Sequence, residues 1–383
     1  MPTFTNLTKE IPPILRGLTF DGTLGLIVHR HGEGNGALLL EEPKVGDSIS
    51  DVALSWQQSF DAYLTKERTY PPTIQVGSIC YGLGTNYDEA VRSEGVSKLA
   101  TLKPTYSRSD VVRDHVVVVT GGAQGFGEGM VRSLVENGAF VYIADMNEAG
   151  AQKLADELNY EAVITVAKAV KVNVTDEASV EAMIDTIIGE VGGIDLFISN
   201  AGVLRAGSVK TMSLADFQFV TDVDYTGFFI CTKFASVVMA HQNIPSGRYF
   251  TDIVAISSKS GLEGSNKNGA YAGAKFGTIG LTQSFALELV EDNIKVNAIC
   301  PGNFLDGPLW SDPERGLFVQ YLEAKKVPGA KTVDDVRRFY ESKVPMNRGC
   351  TTADVMKAIF YIVEQEYETG QAVPVTGGQV MLN

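Results

Sequence analysis

The sequence predicts an α/β protein built on a doubly wound parallel sheet, with a smaller α/β domain ahead of it. Beyond residue 110, short β-branched runs alternate regularly with longer helical patterns, as in a parallel sheet that helices cover on both faces. Before that region, a polar stretch with a proline, Leu102–Asp110, interrupts the apolar periodicity. We therefore expect a small N-terminal α/β domain over residues 1–108 and a larger domain over residues 109–383.

The N-terminal unit carries the weaker patterns. Leu24–Arg30 and Ala37–Glu41 flank a glycine-rich stretch and together predict a hairpin. His29 and His31 could ligate a metal, but no third ligand is evident nearby, so a solvated strand end is the better interpretation and we predict no metal site. Further on, the sequence predicts a helix, an extended segment and a second helix, over Asp51–Lys66, Thr73–Tyr81 and Tyr87–Leu102.

The larger unit alternates strands and helices. Its β-branched runs lack the period of two expected of half-exposed strands, which indicates buried parallel strands. The predicted strands are His115–Val119, Phe140–Ala144, Val163–Val172, Asp195–Ser199, Asp252–Ser257, Lys295–Ile299 and Ala372–Val375. The predicted helices are Gly125–Asn137, Glu148–Asn159, Asp176–Val191, Ser213–Ala240 and Ala270–Val290.

The composition is that of an ordinary globular protein, with 44% hydrophobic residues, 20% charged residues and a formal net charge of −14. Nucleic acids and anionic membranes favour basic surfaces, so the charge argues against both as partners. The N-terminus lacks a signal-peptide pattern and no apolar run reaches the length of a membrane span. The four cysteines are widely separated, which favours free thiols in a reducing compartment. We expect a cytoplasmic protein.

A glycine-rich turn, Thr120–Gly127, joins the first strand of the larger unit to its first helix. There the glycines can bring backbone N–H groups close to a pyrophosphate, and the helix dipole favours the negative charge. The spacing of Gly121, Gly125 and Gly127 is tighter than in the common dinucleotide fingerprint. Taken alone, the turn could equally be structural.

Asp145 ends the second strand, where a carboxylate can accept hydrogen bonds from both ribose hydroxyls of an adenosine. Alternatively, it could cap the helix that begins near Glu148. A 2′-phosphate would meet an anion there, and neither Met146 nor Asn147 offers a compensating cation. Gln124 adds no positive charge to the glycine turn either. The sequence therefore favours NAD over NADP.

Asn200, Ala201 and Gly202 follow the strand Asp195–Ser199. Small residues at this point could let the chain pass beside a bound cofactor, and Asn200 could brace neighbouring strands. A plain turn after a strand is the alternative for this tripeptide on its own.

Ser258, Tyr271 and Lys275 are candidates for hydride-transfer chemistry. Oxidation of an alcohol by nicotinamide needs a base that takes the hydroxyl proton as the hydride leaves. A phenol has an ordinary pKa near ~10, which a neighbouring cation lowers by favouring the phenolate. Tyr271 and Lys275 are four residues apart and so share a helix face, while Ser258 ends a strand and could hold the substrate oxygen. Each feature is common alone, but their joint occurrence downstream of the glycine turn favours a catalytic set.

On these residues, the chain from about residue 112 to 383 resembles a short-chain dehydrogenase/reductase with a Rossmann-type fold. The resemblance implies that Tyr271 is the acid/base, that Lys275 also holds the nicotinamide ribose, that Ser258 orients the substrate, and that the protein is a homotetramer or homodimer. The positions implied or expected to bind NAD are Gly121, Gln124, Gly125, Phe126, Gly127, Asp145, Met146, Asn173, Val174, Asn200, Ala201, Gly202, Tyr271, Lys275, Pro301, Gly302, Asn303 and Phe304.

Two positions depart from the family pattern. The family usually carries Asp where Asn173 stands, a mild change. It usually carries Asn where Asp224 stands, and that Asn helps to hold a water that links the lysine to solvent. We assign Asp224 to the catalytic group. Its charge would oppose the effect of Lys275 on Tyr271, which predicts weaker activity at neutral pH or a more alkaline optimum.

Within the family, the second half of the chain is most similar to enzymes that interconvert sorbitol 6-phosphate and fructose 6-phosphate with NAD. The similarity rests on Ser257–Gly261, Val344–Cys350 and Val375–Val380, among other stretches. It implies a sugar alcohol or sugar phosphate as the small-molecule partner. A phosphorylated substrate needs cations in this acidic chain, and the candidates are Lys259 first, then Arg205 and Lys267. Each could also be simply solvated. The stretch Pro301–Asp306 and the variable segment Gly307–Lys326 that follows it are expected to form a substrate lid.

Two other interpretations remain open. The chain could oxidise another sugar alcohol or a deoxy-sugar, as in proteins that fuse a class II aldolase to a dehydrogenase. Gln75–Ala90 resembles the end of such an aldolase faintly, but no histidine cluster is visible, so aldolase activity is not expected. Alternatively, Asp224 could silence the site and leave an NAD-binding assembly protein.

Overall fold

A computed structural model describes residues 2–20, 25–93, 110–247, 249–314, 316–323, 325 and 327–381. Its strands are β1 Ile27–Glu33, β2 Leu38–Leu40, β3 Thr73–Val76, β4 Ile79–Gly84, β5 Val116–Thr120, β6 Phe140–Asp145, β7 Ala167–Lys171, β8 Leu196–Ser199, β9 Thr251–Ile256, β10 Ile294–Pro301 and β11 Ala372–Val375.

The helices before residue 200 are α1 Leu7–Leu18, α2 Ile49–Glu67, α3 Tyr87–Arg92, α4 Gly125–Glu136, α5 Glu148–Ala162 and α6 Glu177–Val191. Those after it are α7 Leu214–Thr221, α8 Gly227–Asn243, α9 Gly269–Leu289, α10 Pro308–Ser311, α11 Leu317–Glu323, α12 Val333–Ser342 and α13 Thr352–Glu364. A π-helical turn, Asp222–Thr226, lies between α7 and α8, and a 3₁₀ turn, Lys259–Gly261, follows β9.

The larger sheet confirms the predicted fold class. In the described part of the chain it has seven strands in the order β11-β10-β9-β8-β5-β6-β7, and all of the neighbouring pairs are parallel. The chain reverses its direction across the sheet between β7 and β8, so a crevice opens where β5 and β8 are neighbours. Two apolar cores lie on the two faces, which is why the run Val116–Val119 is buried throughout.

The smaller sheet corrects the predicted hairpin. Its order within the described residues is β1-β4-β3-β2, so β1 and β2 lie at opposite edges and do not pair. β1 pairs antiparallel with β4, and β2 pairs parallel with β3. The extended segment predicted at Thr73–Tyr81 is in fact two strands, because the chain turns at Gly77 with φ +60°. The apolar pattern shows which face of each strand is buried but not which strands lie side by side, so it could not distinguish these pairings.

Other element boundaries also differ from the predictions. The helix predicted over Ser213–Ala240 is interrupted by the π-helical turn, which accommodates one more residue per hydrogen-bonded ring than an α-helix. α5 runs on to Ala162 and ends at Val163 in the left-handed conformation, so β7 begins later than predicted. The helix predicted over Tyr87–Leu102 ends earlier, at Arg92, because Ser93 takes the left-handed conformation of a C-cap. The predicted break at Leu102–Asp110 lies almost entirely outside the described residues.

The N-terminal region packs directly on the larger unit. α1 lies against α6 and α8, and β1 lies against α6. Arg16 is completely buried, and its Nη2 lies 2.6 Å from Oδ2 of Asp195, just before β8. Tyr249 and Gln242 also donate hydrogen bonds to Asp195. A polar network therefore crosses from one unit to the other.

α7, the π-helical turn and α8 form one helical stretch, Leu214–Asn243, which is long and apolar enough to cross a membrane by length and composition alone. However, 56% of its apolar window is buried inside the protein. This burial is what a core helix of a globular fold shows.

Candidate active site

The predicted catalytic and cofactor residues lie on loops and helix starts that follow the carboxyl ends of neighbouring parallel strands. Because these ends meet at one edge of the sheet, residues far apart in sequence come together beside the crevice between β5 and β8. The segments involved are the glycine turn after β5, Asn200–Gly202 after β8, Ser258 after β9, Pro301–Phe304 at the end of β10, the π-helical turn, and the first turns of α9.

Lys275 is buried, with only 4% of its surface exposed, and two groups hold its ammonium. Nζ donates a hydrogen bond of 3.0 Å to the carbonyl of Ile256 and lies 3.2 Å from Oδ2 of Asp224. The other carboxylate oxygen, Oδ1, accepts a 2.7 Å hydrogen bond from the N–H of Val203. Asp224 thus connects Lys275 to the loop that follows β8.

Tyr271 lies one helical turn before Lys275 on α9, with the ammonium 5.6 Å from the centre of its ring. Thr278 donates a hydrogen bond of 3.2 Å to the carbonyl of Asp224, which anchors the π-helical turn to the same helix. The structure therefore brings Tyr271, Lys275 and Asp224 together as one group. Sequence reasoning missed Ile256 and Val203, because both act through backbone atoms that carry no side-chain signal.

The buried charges influence each other. Burial is the largest influence and lowers the pKa of Lys275, but the charges of Asp224 and Tyr271, together with the hydrogen bond to Asp224, outweigh it and raise the pKa above its ordinary value. Burial raises the pKa of Asp224, and Lys275 offsets this only in part. At neutral pH the lysine is therefore an ammonium group, and it is shared between Asp224 and Tyr271.

Ser258 ends β9 and precedes the 3₁₀ turn. Its Oγ accepts a 3.1 Å hydrogen bond from the N–H of Ser260, which fixes the oxygen and leaves the hydroxyl hydrogen to be donated elsewhere. Ser257 donates a 3.1 Å hydrogen bond to the carbonyl of Lys275, so this loop is tied to α9. A Cβ at Gly261 would lie 2.7 Å from that carbonyl oxygen, so only glycine allows the close approach.

The glycine turn leaves an open cradle at the start of α4. Gly121 and Gly125 have φ of +63° and +62°, a conformation that favours glycine. A Cβ at Gly125 would meet no described atom within 4 Å, whereas one at Gly127 would lie 2.0 Å from the carbonyl oxygen of Gly121. Gln124 precedes the helix and, in the described structure, its side chain caps none of the first N–H groups. Space and free donors at a helix N-terminus fit a dinucleotide pyrophosphate.

Asp145 is directed back towards the glycine turn. Its Oδ2 accepts from the N–H of Ala123 at 3.0 Å and its Oδ1 from the N–H of Asn147 at 2.9 Å. Asn147, not Asp145, is the N-cap of α5, because its side chain accepts from the N–H of Gly150. Each oxygen of Asp145 keeps a further lone pair for a ribose hydroxyl, and the neighbouring Met146 is 68% exposed.

Asn200 braces the two strands at the crevice, as predicted. Its Nδ2 donates to the carbonyls of Thr120 and Gly121 at 3.0 and 3.2 Å. In return, the hydroxyl oxygen of Thr120 accepts from the N–H groups of Asn200 and Ala201 at 3.0 and 3.1 Å. Gly202 lies next to the buried pair, since a Cβ there would be 3.3 Å from Asp224 and 3.4 Å from Lys275.

Asn173 uses its side chain locally, because Oδ1 accepts from the N–H and the hydroxyl of Thr175 at 3.2 and 2.9 Å. Val174 is buried and packs where a Cβ on Gly227 would lie. Asn173 and Val174 therefore lie where the chain passes the start of α8.

The loop after β10 closes against the glycine turn. Phe304 stacks on Phe126 with ring centroids 4.3 Å apart and an angle of 16° between the ring planes. Gly302, which follows Pro301, donates a hydrogen bond of 2.9 Å to the carbonyl of Val375, and Asn303 accepts one of 2.9 Å from Cys350. The predicted residues of this loop thus lie beside the predicted residues of the turn.

The three cations predicted for a phosphate differ in their surroundings. Lys259 is half-buried, and burial lowers its pKa although the charge of Glu263 opposes the shift. The exposed guanidinium of Arg205 lies 5.1 Å from the ring of Phe219. Lys267 is exposed in a loop whose backbone meets the Arg205 loop through a bridge between Gly207 and Asn268.

The predicted lid segment, Gly307–Lys326, contains α10 and α11 and packs with α12 around an apolar cluster of its own. That cluster includes Leu305, Trp310, Phe318 and Val336. Arg337 on α12 forms an ion pair with Asp306, at the start of the segment.

His29 and His31 lie side by side and contact protein groups. Their rings meet edge to face at 5.1 Å, His29 Nδ1 lies 2.9 Å from the carbonyl of Glu190, and His31 Nε2 lies 2.8 Å from the hydroxyl of Ser93. Within the described ranges, no three His, Cys, Asp or Glu side chains cluster so as to hold a metal ion. All four cysteines are free and buried.

The larger unit is similar to known proteins. Residues 115–312 match the family model for short chain dehydrogenases. Sorbitol-6-phosphate 2-dehydrogenase of Escherichia coli is 36% identical over 270 residues, which cover 70% of this chain and 99% of that enzyme. Meso-2,3-butanediol dehydrogenase of Serratia marcescens is 31% identical over 252 residues, covering 62% of this chain and 95% of that enzyme.

A similar solved structure is that of sorbitol-6-phosphate 2-dehydrogenase from Erwinia amylovora. The two share 38% sequence identity with a TM-score of 0.64, covering 70% of this chain and 100% of that one. This chain is therefore longer than the relatives that it matches.

Proposed function

Because the chain belongs to the short chain dehydrogenase family and is thus an oxidoreductase acting on CH–OH groups, we propose that it interconverts sorbitol 6-phosphate and fructose 6-phosphate with NAD. Two relatives named as sorbitol-6-phosphate 2-dehydrogenases, at 36% and 38% identity, support this substrate over others. The observation that carries the proposal is the convergence of Ser258, Tyr271 and the buried Lys275 beside the glycine turn.

The proposed chemistry divides the work among these side chains. Bound NAD supplies the acceptor for the hydride that leaves the carbinol carbon. Ser258 donates its hydroxyl hydrogen to the substrate oxygen and holds it against Tyr271. The phenol oxygen of Tyr271 takes the hydroxyl proton, and the Lys275 ammonium stabilises the negative charge that this oxygen carries when it acts as the base. Asp224 and the Ile256 carbonyl hold Lys275 in place.

The direct test is to mix the purified protein with NAD and sorbitol 6-phosphate and to follow NADH absorbance. We expect turnover, and a loss of about 10²- to 10⁴-fold in kcat for Tyr271→Phe, because the phenylalanine has no proton-transferring group. Full turnover in the Tyr271→Phe protein would refute the proposed chemistry. A wild-type protein that binds NAD but oxidises no alcohol would favour the silenced assembly protein instead.

We also propose NAD rather than NADP. The carboxylate of Asp145 stands where a 2′-phosphate would bind, and Met146 and Asn147 carry no charge. Lys171 is the register neighbour of Asp145, but its ammonium lies 3.7 Å from the carboxylate of Glu148. The kcat/KM for NAD should therefore exceed that for NADP, and a preference for NADP would contradict the assignment.

The substrate could instead be another sugar alcohol or a deoxy-sugar, and the butanediol-oxidising relative shows how far substrates in the family range. A panel of free and phosphorylated hexitols and short diols distinguishes these candidates. If a free polyol has the higher kcat/KM, the phosphate part of the proposal is wrong, while the hydride-transfer chemistry still stands.

We propose that the protein is a cytoplasmic homodimer or homotetramer. α8 exposes Phe229 and Val237, and the neighbouring α9 exposes Phe276 and Leu287. Exposed glycines at 273 and 280 of α9 leave this apolar face flat enough for a second helix pair to approach. Light scattering should give a multiple of the chain mass, and Phe276→Glu should reduce it. The net charge of −14 argues against nucleic acid and membrane partners.

A further inference from the structure

An aromatic pair joins two parts of the chain that the dinucleotide is expected to contact. Phe126 follows Gly125 at the start of α4, in the glycine turn, and Phe304 lies in the loop that follows β10. Their rings stack with centroids 4.3 Å apart and an angle of 16° between the ring planes. Both side chains are half-buried. The two rings therefore form a direct contact between the turn and the loop.

The loop that carries Phe304 also leads into the lid segment. The next residue, Leu305, is completely buried in the apolar cluster that α10, α11 and α12 share. Asp306 then forms the ion pair with Arg337 on α12. Two adjacent residues thus pack in different places, since Phe304 contacts the glycine turn and Leu305 contacts the core of the lid.

The stack has no polar contact to support it. The base of the loop is fixed to other elements, because Gly302 donates to the carbonyl of Val375 and the carbonyl of Asn303 accepts from Cys350. A Cβ on Gly307 would lie 2.5 Å from the ring of Phe304, so the chain folds closely around this ring. Among the described residues, no hydrogen bond joins the loop to the glycine turn, so their contact depends on apolar packing.

We propose that Phe126 and Phe304 are positioning residues, whose stack holds the loop after β10 and the start of the lid against the glycine turn and so preforms the site for the nicotinamide end of the cofactor. This rests on the proposed function, in which NAD binds with its pyrophosphate at the turn and its nicotinamide beside Pro301 and Gly302. The adenosine end, expected at Asp145, does not need this loop.

The physical reason is preorganisation. A protein whose binding-competent arrangement is only partly populated binds its ligand more weakly, in proportion to that population. An aromatic stack favours the arrangement in which the loop lies on the turn. Loss of the stack should therefore lower the affinity for a ligand that contacts both parts, and leave the affinity for a ligand that contacts the turn alone.

The test compares Phe304→Leu, which keeps an apolar side chain but removes the ring, with Phe217→Leu, which changes a phenylalanine of α7 that is 47% exposed. Dissociation constants are measured for NADH and for ADP, which has the adenosine and pyrophosphate but no nicotinamide. For Phe304→Leu we expect the Kd of NADH to rise by about 3- to 10-fold and that of ADP to stay at the wild-type value. Phe217→Leu should change neither.

A double substitution separates the stack from a direct contact between Phe304 and the cofactor. In a Phe126→Leu background the stack is already absent, so adding Phe304→Leu should change the Kd of NADH by less than about 2-fold. Phe304→Tyr keeps the ring and should retain the wild-type Kd. An equal loss of NADH affinity from Phe304→Leu in both backgrounds would overturn the proposal.

Hydrogen exchange tests the link to the lid without any turnover. Coupling between two sites is reciprocal, so bound NADH should slow amide exchange in α11 and α12 of the wild-type protein. At saturating NADH the slowing should be smaller in Phe304→Leu. Equal slowing in the two proteins would show that the lid does not respond through this stack.

The outcomes separate this inference from the proposed function. If the wild-type protein binds NADH, and Phe304→Leu weakens NADH and ADP equally or weakens neither, the stack does not position the cofactor, while the proposed function stands. If the wild-type protein binds NADPH and not NADH, the NAD assignment fails, and the same measurements with NADPH decide the role of the stack. Thermal unfolding checks that each variant is folded, and Phe126→Leu alone should also weaken NADH binding, which tests the stack if Phe304→Leu does not fold.

Discussion

At the scale of single residues, the buried pair of Asp224 and Lys275 affects how readily Tyr271 takes up or releases a proton in the proposed reaction. The resemblance to the family had already implied that Asp224 acts on Lys275, and the lysine's ammonium lies 3.2 Å from that carboxylate. The motif spacing placed Tyr271 and Lys275 on one helix face in advance. It gave no sign of the π-helical turn that carries Asp224, because this turn left no recognisable pattern in the sequence.

The first prediction concerns Asp224→Asn. Without the negative charge beside Lys275, the ammonium should stabilise the phenolate of Tyr271 more strongly. The acid limb of the kcat–pH profile should therefore move to lower pH by about one unit. The raised pKa of Lys275 depends on Asp224, so the alkaline limb should also move to lower pH. Steady-state kinetics between pH 6 and about 10 check this. An unchanged profile would mean that Asp224 plays no electrostatic role.

A second prediction concerns Asp252, which is buried at the start of β9 with Oδ1 3.1 Å from Nζ of Lys295. Burial raises its pKa to about 6, so the native protein binds this proton more tightly than the unfolded chain does. The stability that this group contributes is therefore present below pH ~4 and is lost as the pH rises through about 6.

The difference in the free energy of unfolding between Asp252→Asn and the wild-type protein should accordingly move in favour of the variant as the pH rises from 4 to 8. Lys295 keeps hydrogen bonds to the carbonyls of Ile362 and Gln365 at 2.7 and 2.9 Å, so it is not left without partners. Thermal unfolding of both proteins at the two pH values is the measurement. A gain of equal size at both would contradict the assignment.

At the scale of elements, the sequence pattern located most of the larger sheet because most of its strands are short apolar runs rich in Val and Ile. It missed α12 and α13, although both begin with a capping box, Thr332 with Asp335 and Thr351 with Asp354. That signal was present in the sequence and could have been used. The pairing of β1 with β4 could not be predicted in this way, since it depends on which strands lie side by side in the folded sheet.

The third prediction compares two helical glycines. Gly127→Ala places a Cβ 2.0 Å from the carbonyl of Gly121, so the glycine turn must open and NADH affinity should fall by at least about 10-fold. Gly189→Ala, within α6, meets nothing within 4 Å in the described structure and should stabilise the fold by about 0.5–1 kcal/mol. NADH titration and thermal unfolding report both. Equal effects of the two substitutions would contradict a special role for the turn.

At the scale of the whole molecule, the N-terminal region and the larger unit share buried surface. Ile27 and Ala90 belong to the same apolar core as the strands of the larger sheet, and Arg16 supplies the counter-charge for Asp195. We propose that residues 1–108 fold as an α/β unit that the larger unit, residues 109–383, needs for stability. Without it, α6 and α8 would expose apolar side chains and Asp195 would be a buried carboxylate without its arginine.

The fourth prediction tests this dependence. Arg16→Met should lower the free energy of unfolding by about 3–5 kcal/mol, because one partner of a buried ion pair is removed. Arg16→Met with Asp195→Asn should recover a large part of the loss, since the uncompensated charge is gone. Thermal or urea unfolding of the single and double variants gives the coupling. A chain truncated at residue 109 that keeps wild-type stability, oligomer size and turnover would show instead that the front unit is dispensable.

By itself, the sequence determined the class of fold, the order of strands and helices in the larger unit, and the side chains that converge beside the glycine turn. These depend on local periodicity and on motif spacing, which are properties of neighbouring residues. Only the tertiary structure decided that Arg16 pairs with Asp195 and that Lys295 pairs with Asp252. Each of those contacts joins residues from distant parts of the chain, and its energy comes from burial and charge, which exist only once the chain is folded.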